Sequence, residues 1–525
     1  MSVSGGSLVA TRRSVTFAVD GAPPSGSVDI LIDGHRVWST TPTDPDVYGR
    51  IRLHWPAALV PYMKGRATIS VQDSGTGETI AGAVGQIGRS TSPLVVANDQ
   101  GHWLAVNKWQ RMGTSFEGDD SGIRGRLLTR SKVLVDQLEH LGYVACITGG
   151  TLLGAVRLGD ILANDDDIDL SVLLTNSHPS DLSLDSYRLE DQLGDLGYIV
   201  VRHSNAHLQV TFLHDNGEID CYVDIFSAFF RSDEEFCQPF HVRSNVPRTS
   251  ITPVGSRELG GVSFPVPAVP EDWLASCYGP NWETPDPSFR FATPPATRRR
   301  FDSWFGSQDM NRVYWEEAHG RAADRRRAGG DALHVAELAR LLPVGAPVVD
   351  LGCGSGINTE AIAAQGRDVI GVDYSFRALA LARGSIAPDT VDLRYLNLYD
   401  RRRMLEFGAE LVQSGRVWHV NLGQVLAGLT REGRENVFLL LRMVLREGAV
   451  AVATFDTSYA AWRYSADNPE TWHLPVDWLR AEAGRQKLSV EIASTSSRRT
   501  KHGRRRTATV VLRLAAPSAQ GKKDN

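Results

Sequence analysis

The chain has 525 residues, 42% hydrophobic and 22% charged, an ordinary globular composition that is too long for one core and divides into two or three domains. Its formal net charge of −5 gives no general attraction to nucleic acid or anionic lipid, so nucleic acid is not the expected partner. Cys146, Cys221, Cys237, Cys277 and Cys353 show no CxxC spacing, which argues against a disulfide framework or a cysteine zinc site; residues 1–13 lack an apolar signal segment, and apolar windows such as 437–455 are broken by charges, so a soluble cytoplasmic protein is expected.

Short alternating segments at 15–19, 28–32, 35–40, 51–54, 67–72 and 79–84 predict strands, with Asp33-Gly34 as a hairpin signal. They predict an all-β sandwich, an accessory domain over 1–95. Trp38, Trp55 and Tyr62 fit either a sugar-stacking platform or the core, and core is the expectation for aromatics in a small sandwich.

Apolar residues at helical spacing predict a helix over 123–141, with Gly142 where a C-terminal cap belongs. After the apolar run 143–147, Gly149-Gly150-Thr151 opens another helix whose free N–H groups suit phosphate oxygens, and Arg157 follows one or two turns on. Further along, Asp167 and Asp169 flank Ile168 at the head of the apolar segment 170–174, so strand alternation puts both carboxylates on one face. Two carboxylates about 4 Å apart repel by roughly 4 kcal/mol at an effective dielectric near 20, and a phosphate turn beside them favours a cation such as Mg²⁺. The alternative is an Asp-rich loop that caps helices; Asp165 and Asp166 fit that role as well as a functional one.

Then come a helix over 182–196 and strands over 198–202, 208–213 and 219–230. In the last, Asp220, Tyr222, Asp224 and Phe226 share a face, so Asp224 joins Asp167 and Asp169 if the two strands are neighbours. Three carboxylates around a phosphate turn describe metal-assisted phosphoryl or nucleotidyl transfer, with Asp224 able to take the acceptor hydroxyl's proton. Asp220, His207, His214 and Arg243 are read as structural.

The same residues resemble the LicD and fukutin family of phosphotransferases. The matching stretches are Gly149-Gly150-Thr151-Leu152-Leu153-Gly154, Arg157, Asp165-Asp166-Asp167-Ile168-Asp169, Val223-Asp224-Ile225-Phe226, Phe264-Pro265-Val266-Pro267, Trp273-Leu274 and Tyr278-Gly279-Pro280-Asn281-Trp282. Ala163-Asn164 departs from the family, which often has Pro and a bulky residue there. The resemblance implies an α+β nucleotidyltransferase-like domain over 96–285, with Asp167, Asp169 and Asp224 catalytic and binding Mg²⁺ or Mn²⁺. Gly149, Gly150, Thr151 and Arg157 would hold the phosphates of a nucleotide diphosphate donor.

The proline-rich, then basic stretch 286–306 reads as a linker. A second domain, 307–517, carries a buried strand at 348–351 that opens into Gly352-Cys353-Gly354-Ser355-Gly356, a helix from 359 to 365, and a strand at 369–372 ending in Asp373. Asp350 before the glycines, and Ile357 where a dinucleotide site wants a third glycine, favour S-adenosylmethionine over NAD, with Asp373 placed to reach ribose hydroxyls.

This part resembles class I S-adenosylmethionine-dependent methyltransferases, from Tyr314-Trp315 to Ala515, with an α/β Rossmann-like fold. Leu396-Asn397-Leu398-Tyr399 is similar to the adenine-side segment, with Asn397 where many members carry Asp. Val444-Leu445-Arg446-Glu447-Gly448-Ala449 resembles the turn before the fifth strand, with its Pro and second Gly replaced. By resemblance Asp350, Gly352, Gly354, Gly356, Asp373 and Asn397 bind the cofactor. His419, Asp456 and His473 are candidate bases for an alcohol acceptor. Segments 488–494 and 507–514 predict a hairpin joined by a basic loop, Arg498-Arg499 and Lys501 to Arg506, which either is solvated or grips a phosphorylated acceptor; 518–525 reads as a disordered tail.

The two resemblances together imply a bifunctional transferase of cell-envelope glycans. It would move a phospho-alcohol or phospho-sugar onto a sugar hydroxyl and methylate the same glycan, free or lipid-linked, in the cytoplasm or at the inner face of the membrane. A nucleotidyltransferase/methyltransferase of RNA or protein and an inert scaffold are the alternatives; the acidic balance argues against RNA.

Overall fold

The computed structural model describes residues 7–19, 26–98, 101–107, 110–114, 122–162, 165–239, 242–284, 286, 289, 291–320, 332–387, 390–446, 448–458, 464–466, 468–500 and 503–515. Ala163-Asn164, Glu447, Lys501 and the tail 518–525 lie outside them. The chain divides into two compact units: Met1–Phe212 with Cys221–Gly306, and Leu213–Asp220 with Ser307–Asn525.

In the first unit, one antiparallel sheet runs Leu8–Ala10, Ser14–Ala18, Arg50–His54. A second runs His35–Thr40, Val28–Ile32, Gly65–Asp73, Thr79–Ile87. Their alternate residues share one apolar core that includes Val15, Phe17, Ile30, Ile51 and Ile69. The turn at Asp33-Gly34 has φ 50° and 87°, the left-handed pair that a two-residue hairpin needs. Trp38 and Trp55 are 6% and 5% exposed and belong to this core, with Tyr62 packed on it, so no stacking platform is formed by the three. The core runs past residue 95: Val96 and Leu104 are part of it and Met112 packs against it.

The chain then enters helix Ile123–His140, which leads to a sheet in the order Val144–Ile147, Ile168–Leu173, Ile219–Ser232, His207–Leu213, Ile199–Ser204. The strands Ile168–Leu173 and Ile219–Ser232 are parallel neighbours. Leu170, Leu208, Val210, Val223 and Ile225 join Leu134 and Leu189, of helices Ile123–His140 and Pro179–Asp195, in the core. Alternation therefore turns Asp169, His207, Gln209 and Asp224 to the opposite face. Residues 295–305, expected to be linker, instead form helix Pro295–Phe305, because Phe301 and Phe305, spaced by one turn, are buried in this same core.

The second unit is built on a seven-stranded sheet in the order Asp392–Tyr395, Val369–Asp373, Val348–Leu351, His419–Gly423, Ala451–Asp456, Gly503–Leu514, Leu488–Thr500. Its first five strands are parallel and the last two form an antiparallel hairpin at one edge. This is a Rossmann-like α/β sheet whose order reverses at Val348–Leu351, the position where open α/β sheets bind ligands beyond their strand ends. The basic loop expected at 498–506 is strand almost throughout, since the hairpin pairs as far as Thr500 and Gly503.

Candidate active sites

The pleat register sets Asp169 directly beside Asp224. With Asp167, each offers a carboxylate oxygen within 4.8 Å of the others. Asp167 and Asp169 are 8% and 6% exposed, so this is a desolvated acidic cluster rather than a solvated loop. Donors of this kind, three hard oxygens converging on one point, fit a Mg²⁺- or Mn²⁺-sized cation. Burial pushes the Asp224 carboxyl up, but His207, then His203 and the amide of Gln209, outweigh it and hold the group down at about 2. These neighbours favour the ionised form of Asp224, the form in which a carboxylate can act as a ligand.

The helix Gly149–Leu158 begins against these carboxylates. A Cβ on Gly149 would overlap the carboxylate of Asp169, and one on Gly150 that of Asp165, so the two glycines are the space into which the acidic side chains fit. Thr151 is 1% exposed, and its hydroxyl accepts the backbone N–H of Asp169 at 2.9 Å. The hydroxyl thus positions the strand of Asp169. Thr148 is fixed in turn: its hydroxyl donates to Gln238 at 3.0 Å and accepts from the indole of buried Trp273 at 2.9 Å, which accounts for the Trp273-Leu274 motif. Arg157 donates to the carbonyl of Thr284 at 3.0 Å and lies beside Tyr278, toward the closing motif.

Four side chains passed over or set aside as structural line the same face. His207 Nε2 is 3.4 Å from Asp224 Oδ1, and its ring stacks between His203 and Phe226. Gln209 donates to Asp224 at 3.0 Å. The Tyr222 phenol is raised well above 10 by burial and then by Asp166, Asp167, Asp224 and Asp165, so it stands among the acids as a neutral donor. The visible signal was alternation from Asp224 and from His207; which strands are neighbours was not visible. Asp220 faces His214 at 3.4 Å, and Arg243 pairs with Glu235.

In the second unit, Gly352, Gly354 and Gly356 all have positive φ. Asp373 sits over this turn, its Oδ2 accepting the N–H of Gly354 and its Oδ1 that of Ser375, both at 2.9 Å. Asn397 accepts from the N–H of Tyr399 and donates to the carbonyl of Gln308 at 2.7 Å. These residues fit a nucleoside cofactor: each Asp373 oxygen keeps a second acceptor site for a hydroxyl. Asp350, 2% exposed, is instead taken up by Thr359 at 2.6 Å and Asn421 at 2.8 Å, and ties the turn to the sheet.

Two of the three candidate bases are engaged in the fold. His419 accepts the N–H of Val450 at 3.2 Å and is pushed below its usual range by burial and by Arg367. Asp456 accepts from Arg505 at 2.7 Å and Thr507 at 3.1 Å. Arg505 is 3% exposed, so it cannot grip a phosphorylated acceptor as the basic-loop reading required.

Residues 142–269 match the model of the family described as the LicD/FKTN/FKRP nucleotidyltransferase domain. Residues 348–424 match that of a methyltransferase domain. No curated protein matches the chain. Similar solved structures include a SAM-dependent methyltransferase from Anabaena variabilis, 13% identical over 39% of this chain and 94% of that one, TM-score 0.31. Another is a TehB-like SAM-dependent methyltransferase from Corynebacterium glutamicum, 18% identical over 38% and 98%, TM-score 0.26. The two matched ranges make the protein a transferase with two transferase domains.

Proposed function

We propose that this protein, through its two transferase domains, modifies a cell-envelope glycan twice. The nucleotidyltransferase-like domain, reaching from helix Ile123–His140 to helix Pro295–Phe305, transfers a phospho-alcohol or phospho-sugar from a nucleotide diphosphate to a sugar hydroxyl. The Rossmann-like domain methylates the same glycan from S-adenosylmethionine. The N-terminal β-sandwich is an accessory domain, and the work is done in the cytoplasm or at the inner face of the membrane on a free or lipid-linked acceptor. No helix among the described residues is long and apolar enough to cross a membrane.

The observation that carries this reading is the convergence of Asp167, Asp169 and Asp224 within 4.8 Å beside a helix start. Such a set would hold Mg²⁺ or Mn²⁺, whose charge would offset that of the donor's phosphates. The chain's own part is to fix the three oxygens: Thr151 anchors the strand of Asp169, and Gln209 and His207 orient Asp224. In the second domain Asp373, Asn397 and the glycine turn hold the nucleoside, and alignment rather than a base does most of the work of methyl transfer from a sulfonium.

The test is transfer from CDP- and GDP-linked donors and methyl incorporation from S-adenosylmethionine, measured on envelope glycan. Asp167→Asn and Asp169→Asn remove charge with little change of volume. Lewis-acid stabilisation of several kcal/mol is then lost, so transfer should fall on the order of a thousandfold while methylation persists. Near-normal transfer by either variant with Mg²⁺ present would refute the metal assignment.

A further inference from the structure

The sheet face that bears the acidic cluster carries a second group of convergent donors. His203, His207 and Asp224 each present a ligand atom within 4.8 Å of the other two. We propose that they form a second cation site, sharing Asp224 with the acidic site and taking a divalent ion that accepts imidazole nitrogen, Zn²⁺ before Mn²⁺, rather than Mg²⁺.

Strand geometry brings the two histidines together. Arg202 pairs with Leu208 and Ser204 with His207, which leaves His203 as the extra residue of a β-bulge. Bulges re-aim side chains and are enriched beside active sites. Val201 pairs with Gln209 and Arg202 with Leu208, so His203 falls opposite His207 by continuation of the same register and faces its side, with the bulge closing the ladder next to it.

The spacing also fits. His207 Nε2 lies 3.4 Å from Asp224 Oδ1. At bonds of about 2.0–2.2 Å, two donors of one tetrahedral ion stand about 3.4 Å apart. The His207 ring stacks on His203, centroids 4.5 Å apart, and on Phe226, 4.4 Å, both at 23° interplanar. An imidazole binds a metal along its own ring plane, so binding one ion turns a histidine ring out of this stack, while Gln209 at 3.0 Å holds the Asp224 carboxylate in place.

Donor chemistry separates the two sites. Three carboxylates suit a hard ion that keeps waters and binds phosphates, whereas two imidazoles and one carboxylate suit zinc and other first-row transition ions. Asp224 would then bridge two unlike ions, as carboxylates do in two-metal transferases. The inference stands whether or not the acidic site performs phosphotransfer, because its readout is binding.

The experiment uses the full chain, stripped of metal and held in millimolar Mg²⁺. Zn²⁺ is titrated by calorimetry, and Co²⁺ is added in parallel to read its visible absorption. Wild type should take up one Zn²⁺ tightly and give a Co²⁺ spectrum with nitrogen ligation. His203→Gln and His207→Gln should each weaken Zn²⁺ by more than about 100-fold, beyond what loss of a supporting residue costs. Asp167→Asn should weaken it by less than about tenfold, since it removes a neighbour and not a ligand. Wild-type affinity in both histidine variants, or no tight Zn²⁺ in wild type, would overturn the site and leave the histidines as buttresses of Asp224. Thermal melting without metal checks each fold, and the wild-type Co²⁺ spectrum decides the matter even if a variant does not fold.

Discussion

Asp167, Asp169 and Asp224 of the central sheet converge to within 4.8 Å of one another, whereas Asp350, Asp373 and Asp456 of the C-terminal sheet each have both oxygens taken by donors of their own chain. The first arrangement gathers like charge in a desolvated place, and at 4–5 Å each pair repels by about 3–4 kcal/mol at an effective dielectric of 20. Such a cluster calls for a cation. The second arrangement distributes acids as pins: Asp350 fastens the glycine turn, Asp456 fastens the edge hairpin, and Asp373 alone stands over the turn where a ligand would lie. Carboxylates of similar burial thus serve opposite ends, and the difference lies in whether they converge on one another or stand apart, each on its own donors.

Removing a pin should cost the most. Asp456→Ala leaves Arg505, 3% exposed, without its partner, and an unpaired buried charge costs about 3–5 kcal/mol. Melting of the C-terminal unit should drop by many degrees, and Arg505→Ala should do comparable harm. If both variants melt like wild type, the pin reading of the C-terminal acids fails.

Asp224 lies between the two classes, since it belongs to the cluster yet has donors of its own. Its folded carboxyl sits at about 2, against 3.8 for the free group. A depressed carboxyl contributes stability that is present above the unfolded value and is lost as pH falls through the folded one. The shift corresponds to about 2 kcal/mol. In metal-free protein His207, His203 and Gln209 outweigh the repulsion of Asp167 and Asp169 on Asp224, so Asp224→Asn should lower stability near pH 7, and the gap from wild type should close from about pH 4 toward pH 2. A gap that is constant with pH would mean that His207 and His203 do not hold Asp224 ionised.

Asp373 tests whether one pin also binds. Asp373→Ala should weaken S-adenosylmethionine in calorimetric titration by tenfold or more, since a charged hydrogen-bond partner is worth about 1.5–3 kcal/mol. Asp350→Asn, which touches the turn only through Thr359 and Asn421, should weaken it less. Equal losses would erase the distinction between pin and ligand.

How much of this was legible in the sequence follows from what each feature depends on. The strands 28–32, 35–40, 348–351 and 369–373 follow from local alternation or short apolar runs, and the structure places them at those residues. Asp167, Asp169 and Asp224 were identifiable because a two-residue repeat fixes a face whatever the neighbours are. The approach of His203 and His207 to Asp224 was not, because it needs a strand order that no local pattern encodes. Arg505 was misplaced for a similar reason: a run of arginines looks solvated until Asp456 is known to pair with Thr507 beside it. Helix Pro295–Phe305 was hidden by its prolines and arginines, although the spacing of Phe301 and Phe305 carried the signal.

The smallest expected effect concerns room rather than charge. Gly150→Ala would place a methyl against the carboxylate of Asp165, and Gly352→Ala would place one against Val425, with Cγ2 2.6 Å away. Overpacking costs typically about 1–3 kcal/mol, so each variant alone should be destabilised to that extent. The cause differs, and a double-mutant cycle separates the two. Asp165→Ala should relieve Gly150→Ala, because the small side chain vacates the space. Val425→Ala should relieve Gly352→Ala only in part, since Gly352 also holds φ 73°, which a side chain resists. If Asp165→Ala gives no relief, the glycine pair before the acidic cluster is required for some purpose other than admitting its carboxylates, and the two glycine turns are built on one plan after all.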